Sequence, residues 1–191
     1  MTAQIILASA SPRRQELLDQ INVTYKVYPV DIDETPRANE SPLAYVQRLA
    51  AEKSAACKAR LSPKIPILAA DTAVVLGEMI MGKPKDQADA LAMLMLLSGK
   101  THQVYTAISV RGREHGQAVS VTEVTFRLLK EQEILAYWHS GEPLDKAGSY
   151  AIQGLGAMFV EAIKGSFSGV VGLPLFETTE LLSNQGVTVF K

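Results

Sequence analysis

Only one cysteine, Cys57, occurs in the 191 residues, so no disulfide can close within the chain. Histidine is almost as scarce: His102, His115 and His139 are widely spaced and lack cysteine neighbours, which argues against a zinc site built from them. Nor does either sign of charge dominate. A formal net charge of −1 provides no basic field for duplex nucleic acid or for an anionic membrane surface, so any positive charge that matters must be local. The longest apolar run covers residues 90–97, far short of the roughly 20 residues needed to span a bilayer. Fixed-period repeats, low-complexity stretches and dividing linkers are also missing. With 47% hydrophobic residues, the expectation is a single domain over residues 1–191. A cytoplasmic location is expected because the N-terminus enters a strand without the segments of a signal peptide.

What is present reads as a mixture of helices and hairpins, without a regular strand-helix alternation. The pattern predicts a strand over 4–8, a helix over 12–20 and a strand over 25–30 that enters the acidic turn Asp31-Ile32-Asp33-Glu34. Ser41-Pro42 opens a longer helix reaching about Lys58, and a strand over 67–70 follows. Residues 72–76 and 79–81 form a hairpin across Gly77-Glu78, followed by a helix over 86–97, strands over 104–110 and 118–128, and a helix over 131–139. The glycine-rich last quarter should hold short strands before a helix over 174–183. This mixture implies an α/β or α+β fold with a mixed sheet.

Three places carry chemistry. Residues 5–14, Ile-Ile-Leu-Ala-Ser-Ala-Ser-Pro-Arg-Arg, run a strand into a small-residue turn and a helix start. Ser11 suits the N-cap and Pro12 the first helical position, so the free N–H groups of the next turn offer an anion site. Arg13 and Arg14 place cations where the helix dipole is already positive, which is unfavourable unless an anion sits there. In the long helix, Val46, Leu49, Ala50 and Cys57 share one face with Lys53 in their midst. Lys53 either snorkels to solvent or reaches a buried anion. Asp71 then follows Ile67-Leu68-Ala69-Ala70, at the expected carboxyl end of a buried strand, where open sheets bind ligands. It can hold a metal or take a proton from water, and both roles stay open; Glu34 is the second carboxylate.

Gly77-Glu-Met-Ile-Met-Gly82-Lys83-Pro84 has P-loop spacing, but Pro84 replaces the metal-binding Ser or Thr and the interior reads as a strand. Lys83 is retained as a phosphate contact. Gly154-Leu155-Gly156 is too short for a dinucleotide fingerprint.

Taken together, Leu7-Ala8-Ser9-Ala10-Ser11-Pro12-Arg13-Arg14, Glu52-Lys53, Ala70-Asp71-Thr72, Gly82-Lys83-Pro84, Asp145-Lys146-Ala147-Gly148, Ile152-Gln153-Gly154 and Val171-Gly172-Leu173-Pro174-Leu175 resemble the Maf family of nucleotide pyrophosphatases over nearly the whole chain. The resemblance implies an elongated mixed sheet in two lobes flanked by helices, with a central cleft, a fold shared with inosine triphosphate pyrophosphatases. It implies hydrolysis of a nucleoside triphosphate to the monophosphate and pyrophosphate with a divalent cation such as Mg²⁺ or Mn²⁺. By the same resemblance, Ser9, Ser11, Arg14, Lys53 and Lys83 hold phosphates, while Glu34 and Asp71 serve metal and water. Arg13, Thr72 and Gln153 match the dTTP/UTP branch rather than the 7-methyl-GTP branch. A homodimer is compatible with it. The rival reading is a nucleotide-binding regulator of cell division without catalysis.

Overall fold

The computed structural model describes residues 2–189. One mixed sheet runs through it, with strands in the order β2 (Tyr25–Val27), β1 (Ile5–Leu7), β3 (Ile67–Leu76), β5 (Thr101–Arg111), β6 (His115–Phe126) and β7 (Val160–Lys164); β4 (Met79–Met81) pairs with β3 off this path. β1 is parallel to both β2 and β3, and every later pair is antiparallel. The helices are α1 (Pro12–Gln20), α2 (Pro42–Leu61), α3 (Gln87–Leu97), α4 (Glu131–His139), α5 (Phe167–Val171) and α6 (Leu175–Asn184). The architecture is the mixed-sheet α/β class that the sequence pattern implies.

β3 organises the molecule. Its period of two sends Ile67, Ala69, Ala73 and Val75 towards one face, where they pack with residues of α2 such as Val46, Ala50 and Cys57. Alanines at 69, 73 and 107 keep this face low enough for the long helix to lie close. Leu68, Ala70 and Val74 point the other way, into the main core with Leu17 and Leu18 of α1, Leu94 and Leu97 of α3, Ile134 of α4 and Leu182 of α6. Burying each such leucine or isoleucine is worth about 1.5–3 kcal/mol, so the two faces together hold the sheet between its helices.

The expected strand end at Asp71 is corrected: the residue lies in the middle of a ten-residue strand, opposite Ala107 of β5. Aspartate is depleted in strands, so a break is the natural reading of the sequence. Here the antiparallel pairing with β5 carries the chain through it. The position still resembles a strand end on the other edge of β3. That edge takes β1 only at Ile67 and Leu68, and takes β4 only from Val74 to Leu76. Since Ile6 and Ala8 donate their N–H groups to the carbonyls of Pro66 and Leu68, the alternation of the strand directs the backbone groups of Ala70 and Thr72 into the uncovered gap between β1 and β4.

Among the described residues the last quarter holds one strand, β7, rather than several. Besides α6, its segments are single helical turns at Ala147–Ser149 and Leu155–Phe159 and the short α5, capped by Ser166, whose Oγ accepts from the N–H of Gly169. Small residues there allow tight turns that an alternating pattern does not register. The hairpin across Gly77-Glu78 forms as expected. No helix among the described residues is long and apolar enough to cross a membrane.

Candidate functional site

A cavity of about 700 Å³ opens at the uncovered edge of β3. Its lining includes all ten residues singled out from the sequence: Ser9, Ser11, Arg13, Arg14, Glu34, Lys53, Asp71, Thr72, Lys83 and Gln153. Five cationic side chains, counting Lys146, face three carboxylates, counting Asp145, so the cavity is locally positive in a chain of net charge −1. Its size suits a small ligand and its charge suits an anionic one.

Lys53 sits on the sheet-facing side of α2 because 46, 49, 50, 53 and 57 recur at helical spacing. Asp71 points to the same face of β3 as its neighbours Ala69 and Ala73. The two therefore meet, Nζ to Oδ1 at 2.6 Å, and Nζ also lies 2.7 Å from Glu34 Oε1. Lys53 is thus turned towards these two carboxylates and is not extended into solvent. Its side chain is 12% exposed and that of Asp71 10%, whereas Glu34 is 52% exposed on the loop between β2 and α2. Burial pushes the Asp71 carboxyl above its ordinary range, opposed by Lys53 and Arg14 and reinforced by Glu34.

Thr72, one residue on, faces the opposite side of β3. Its Oγ1 lies 2.9 Å from Thr106 Oγ1, and Arg14 Nη2 approaches it at 3.4 Å. Arg14 also donates from Nε to the Gly172 carbonyl at 2.8 Å and from Nη1 to Ser9 Oγ at 3.0 Å. These bonds stretch the guanidinium between α1, β1, β3 and the turn after α5. Burial lowers the Arg14 pKa, Asp71 opposes that, and Arg13 adds to it. Arg13 is half-buried and likewise lowered by burial, with Glu16 and Asp145 opposing.

Ser11 occupies the N-cap of α1, but its side chain makes no cap bond; instead its N–H donates to Ser9 Oγ at 3.2 Å. The expected cap is thus a matter of position rather than of a hydroxyl bond. The first N–H groups of α1 have no acceptor within the helix, and they sit beside the cavity. On the opposite wall, Gly148 donates its N–H to the Gly82 carbonyl at 3.0 Å, which brings the turn holding Lys146 alongside Lys83. That contact requires glycine: φ is +67° and a Cβ would meet the Val74 side chain at 2.8 Å. Burial lowers the Lys146 pKa, and repulsion from Arg13 and Lys83 adds to the effect. Crowded cations of this kind are relieved by an anion.

Gln153 is exposed at the cavity rim, and its amide has no hydrogen-bond partner among the described residues. Lys146 and Tyr150 also line the cavity; Lys164 does not, lying beside Glu123 on the outer strands. His102 is a core residue, its Nε2 2.9 Å from Tyr150 Oη, and burial lowers its pKa to about 4.

Two participants escape a reading of the sequence. Tyr45 donates its hydroxyl to the Glu34 carbonyl at 3.0 Å, and its pKa is pushed up to about 12 by burial and by the charges of Asp71 and Glu34. The signal for it was the helical step 45, 49, 53, which places it on the Lys53 face. Thr106, wholly buried, also lies 2.7 Å from the Gly169 carbonyl and has no local signal, because only the β3–β5 register sets it opposite Thr72.

The chain matches the family described as Maf-like protein over residues 4–185. A dTTP/UTP pyrophosphatase of Myxococcus xanthus (strain DK1622) is 52% identical, covering 96% of this chain and 93% of its own. Another, of Escherichia coli O6:K15:H31, is 51% identical over 94% of this chain and 92% of its own. Among solved structures, the nucleoside-triphosphatase / dITP/XTP pyrophosphatase of Mycobacterium abscessus superposes with a TM-score of 0.47 at 12% identity, covering 95% of this chain and 94% of that one.

Proposed function

Since this chain belongs to the Maf family, we propose that it hydrolyses dTTP and UTP to the nucleoside monophosphate and pyrophosphate. The observation that carries the reading is the meeting of Lys53, Asp71 and Glu34 at hydrogen-bond distance inside the cavity that Arg13, Arg14 and Lys83 also line.

Glu34 and Asp71 are the residues that would hold a divalent cation. They supply hard oxygen donors that converge on one ammonium, and no group of three or more His, Cys, Asp or Glu surrounds them among the described residues. Such a pair fits an ion that takes its remaining ligands from water and phosphate oxygens, the habit of Mg²⁺. When bound, the cation neutralises charge on the phosphoryl oxygens and acidifies nearby water.

The chain's own groups supply the rest. The α1 N-terminus with Ser9, Ser11 and Arg14 binds phosphate oxygens on one side, and Lys83 with Lys146 closes the other. Lys53 offsets charge developing on the α-phosphoryl group, a preorganised term that is usually the largest in such reactions. Asp71, raised by burial, accepts the proton of the attacking water as the bond from the α-phosphorus to the bridging oxygen breaks and pyrophosphate departs. Gln153 both donates and accepts, which matches a pyrimidine edge. Thr72, which lines the cavity, also steadies Arg14.

The test is a panel of dTTP, UTP, dCTP, dGTP, ITP and 7-methyl-GTP with Mg²⁺ or Mn²⁺ and with a chelator. Pyrophosphate release from dTTP and UTP, abolished by chelation, is expected. Binding of these nucleotides without hydrolysis, or a preference for a purine, would overturn the assignment.

A further inference from the structure

Gln153 stands on a loop whose two ends are tied to one carboxylate and one phenol, neither of which lines the cavity. At the near end, the Ala151 N–H donates to Tyr137 Oη at 3.1 Å, and the Tyr137 hydroxyl donates to Glu142 Oε1 at 2.8 Å. At the far end, the N–H groups of Gly156 and Leu155 donate to Glu142 Oε1 at 2.9 Å and to Oε2 at 2.8 Å. The loop closes on itself through the Gly154 N–H and the Ala151 carbonyl at 3.2 Å. Packing leaves it a single path. A Cβ at Gly154 would collide with the Glu142 carboxylate, and one at Gly156 would meet Tyr137 Oη and the Ala151 carbonyl at 2.8 Å.

The clamp itself is anchored. Tyr137 belongs to α4, is 4% exposed and meets the Phe159 ring edge-on with centroids 5.0 Å apart. Burial works to raise the Glu142 pKa, but the two backbone N–H groups and the Tyr137 hydroxyl bring it below the ordinary range. It is therefore an acceptor at neutral pH, with both oxygens in use.

Because the Gln153 amide has no protein partner among the described residues, the backbone of this loop fixes where its side chain departs and hence the region its amide can reach. We propose that Glu142 and Tyr137 are positioning residues that set nucleobase selectivity by clamping the two ends of the Gln153 loop. The inference rests on Gln153 as the base-reading residue. Loosening either end spreads the amide over more positions, and substrate must then supply the ordering on binding.

The experiment compares Glu142→Gln, which turns an amide N–H₂ towards a backbone donor at the far end, and Tyr137→Phe, which removes the acceptor of the Ala151 N–H at the near end and the hydroxyl that braces Glu142, in wild-type and Gln153→Ala backgrounds. In the wild-type background kcat/KM for dTTP falls about tenfold, chiefly through KM, and the preference for dTTP over dGTP falls with it. In the Gln153→Ala background the same substitutions change kcat/KM by less than about twofold, since their route is gone. The Ala151 amide exchanges hydrogen faster in Tyr137→Phe, and an amide of the far end, Leu155 or Gly156, does so in Glu142→Gln. An equal loss in both backgrounds, or a fall in kcat with KM and preference unchanged, overturns the proposal. Thermal unfolding checks each variant, and Tyr137→Phe decides alone if Glu142→Gln does not fold. A wild type without pyrimidine preference refutes the assigned function instead; the clamp is then judged by amide exchange, and unchanged exchange overturns it.

Discussion

Replacing Asp71 by asparagine separates two consequences of placing a carboxylate in the middle of a buried strand. The substitution keeps shape and one acceptor oxygen towards Lys53 Nζ, 2.6 Å away, while Lys53 retains Glu34 at 2.7 Å. It removes the base, and it weakens one of the two donors that would hold the cation, so turnover is read at saturating Mg²⁺. General-base catalysis is worth roughly 10²–10⁴-fold, or about 3–5 kcal/mol of barrier, so kcat should fall by that factor with dTTP as substrate. Stability should move the other way. Burial raises the folded-state pKa of Asp71 above its unfolded value, so the ionised form is disfavoured by folding. The associated stability is fully present below the unfolded pKa and is lost as pH rises through the folded one. Asparagine escapes that loss, and each 1 kcal/mol recovered at pH 7 reads as about 2–4 °C in Tm for a domain of this size. The gain should vanish once the pH drops below the ordinary carboxylate range. Steady-state pyrophosphate release at pH 7 and thermal scans at pH 7 and about pH 3, below the ordinary aspartate pKa, give both numbers. A variant within about tenfold of wild-type turnover would remove Asp71 from the chemistry. An inactive variant whose Tm also drops by about 10 °C would mean that the carboxylate serves the fold.

Other expectations follow from single side chains. Gln153→Glu replaces a donor and acceptor by an acceptor-only group at the cavity rim; kcat/KM for dTTP and UTP should fall by about tenfold or more in the same assay, whereas unchanged values would take Gln153 out of the base site. Glu40, 8% exposed at its side chain, is bound by Arg48 through both Nε and Nη2, and Arg48 holds its pKa down at about 2. A depressed carboxylate stabilises the fold above its unfolded pKa and loses that contribution as pH falls towards about 2, so the Tm deficit of Glu40→Gln should be full at pH 6 and shrink steadily below pH 4.5. A deficit that does not vary with pH would show that packing, not charge, sets the effect.

Much of the site is legible along the chain because its components are local. Ser-Pro pairs mark the starts of α1 and α2, and both helices begin at the proline. Lys53 stands out because helical spacing sets it among residues that must face the sheet, and Lys83 follows a hairpin strand whose two-residue turn can be read directly. Asp71 is recognised as unusual for the same reason, although the strand runs through it. Local pattern reads a polar break in an apolar run as an end, whereas β5 supplies nine consecutive partners across β3, from Ile67 to Val75. Tyr137 and Glu142 are illegible for a different reason. Each reads as an ordinary helix or loop residue until the loop carrying Ala151, Leu155 and Gly156 folds back over them.

By itself, the sequence determined the α/β character, the helix starts, the face on which Lys53 lies and the two adjacent cations at the start of α1, since caps, periodicity and charge act over a few residues. Tertiary structure decided that β1 and β4 share one edge of β3 and leave the backbone edge at Ala70 and Thr72 without a strand partner between them. It also brought Glu34, Lys53 and Asp71 within hydrogen-bond reach of one another. Those outcomes depend on strand register and on pairings between distant segments, and register is chosen by the burial of whole faces rather than by any one residue.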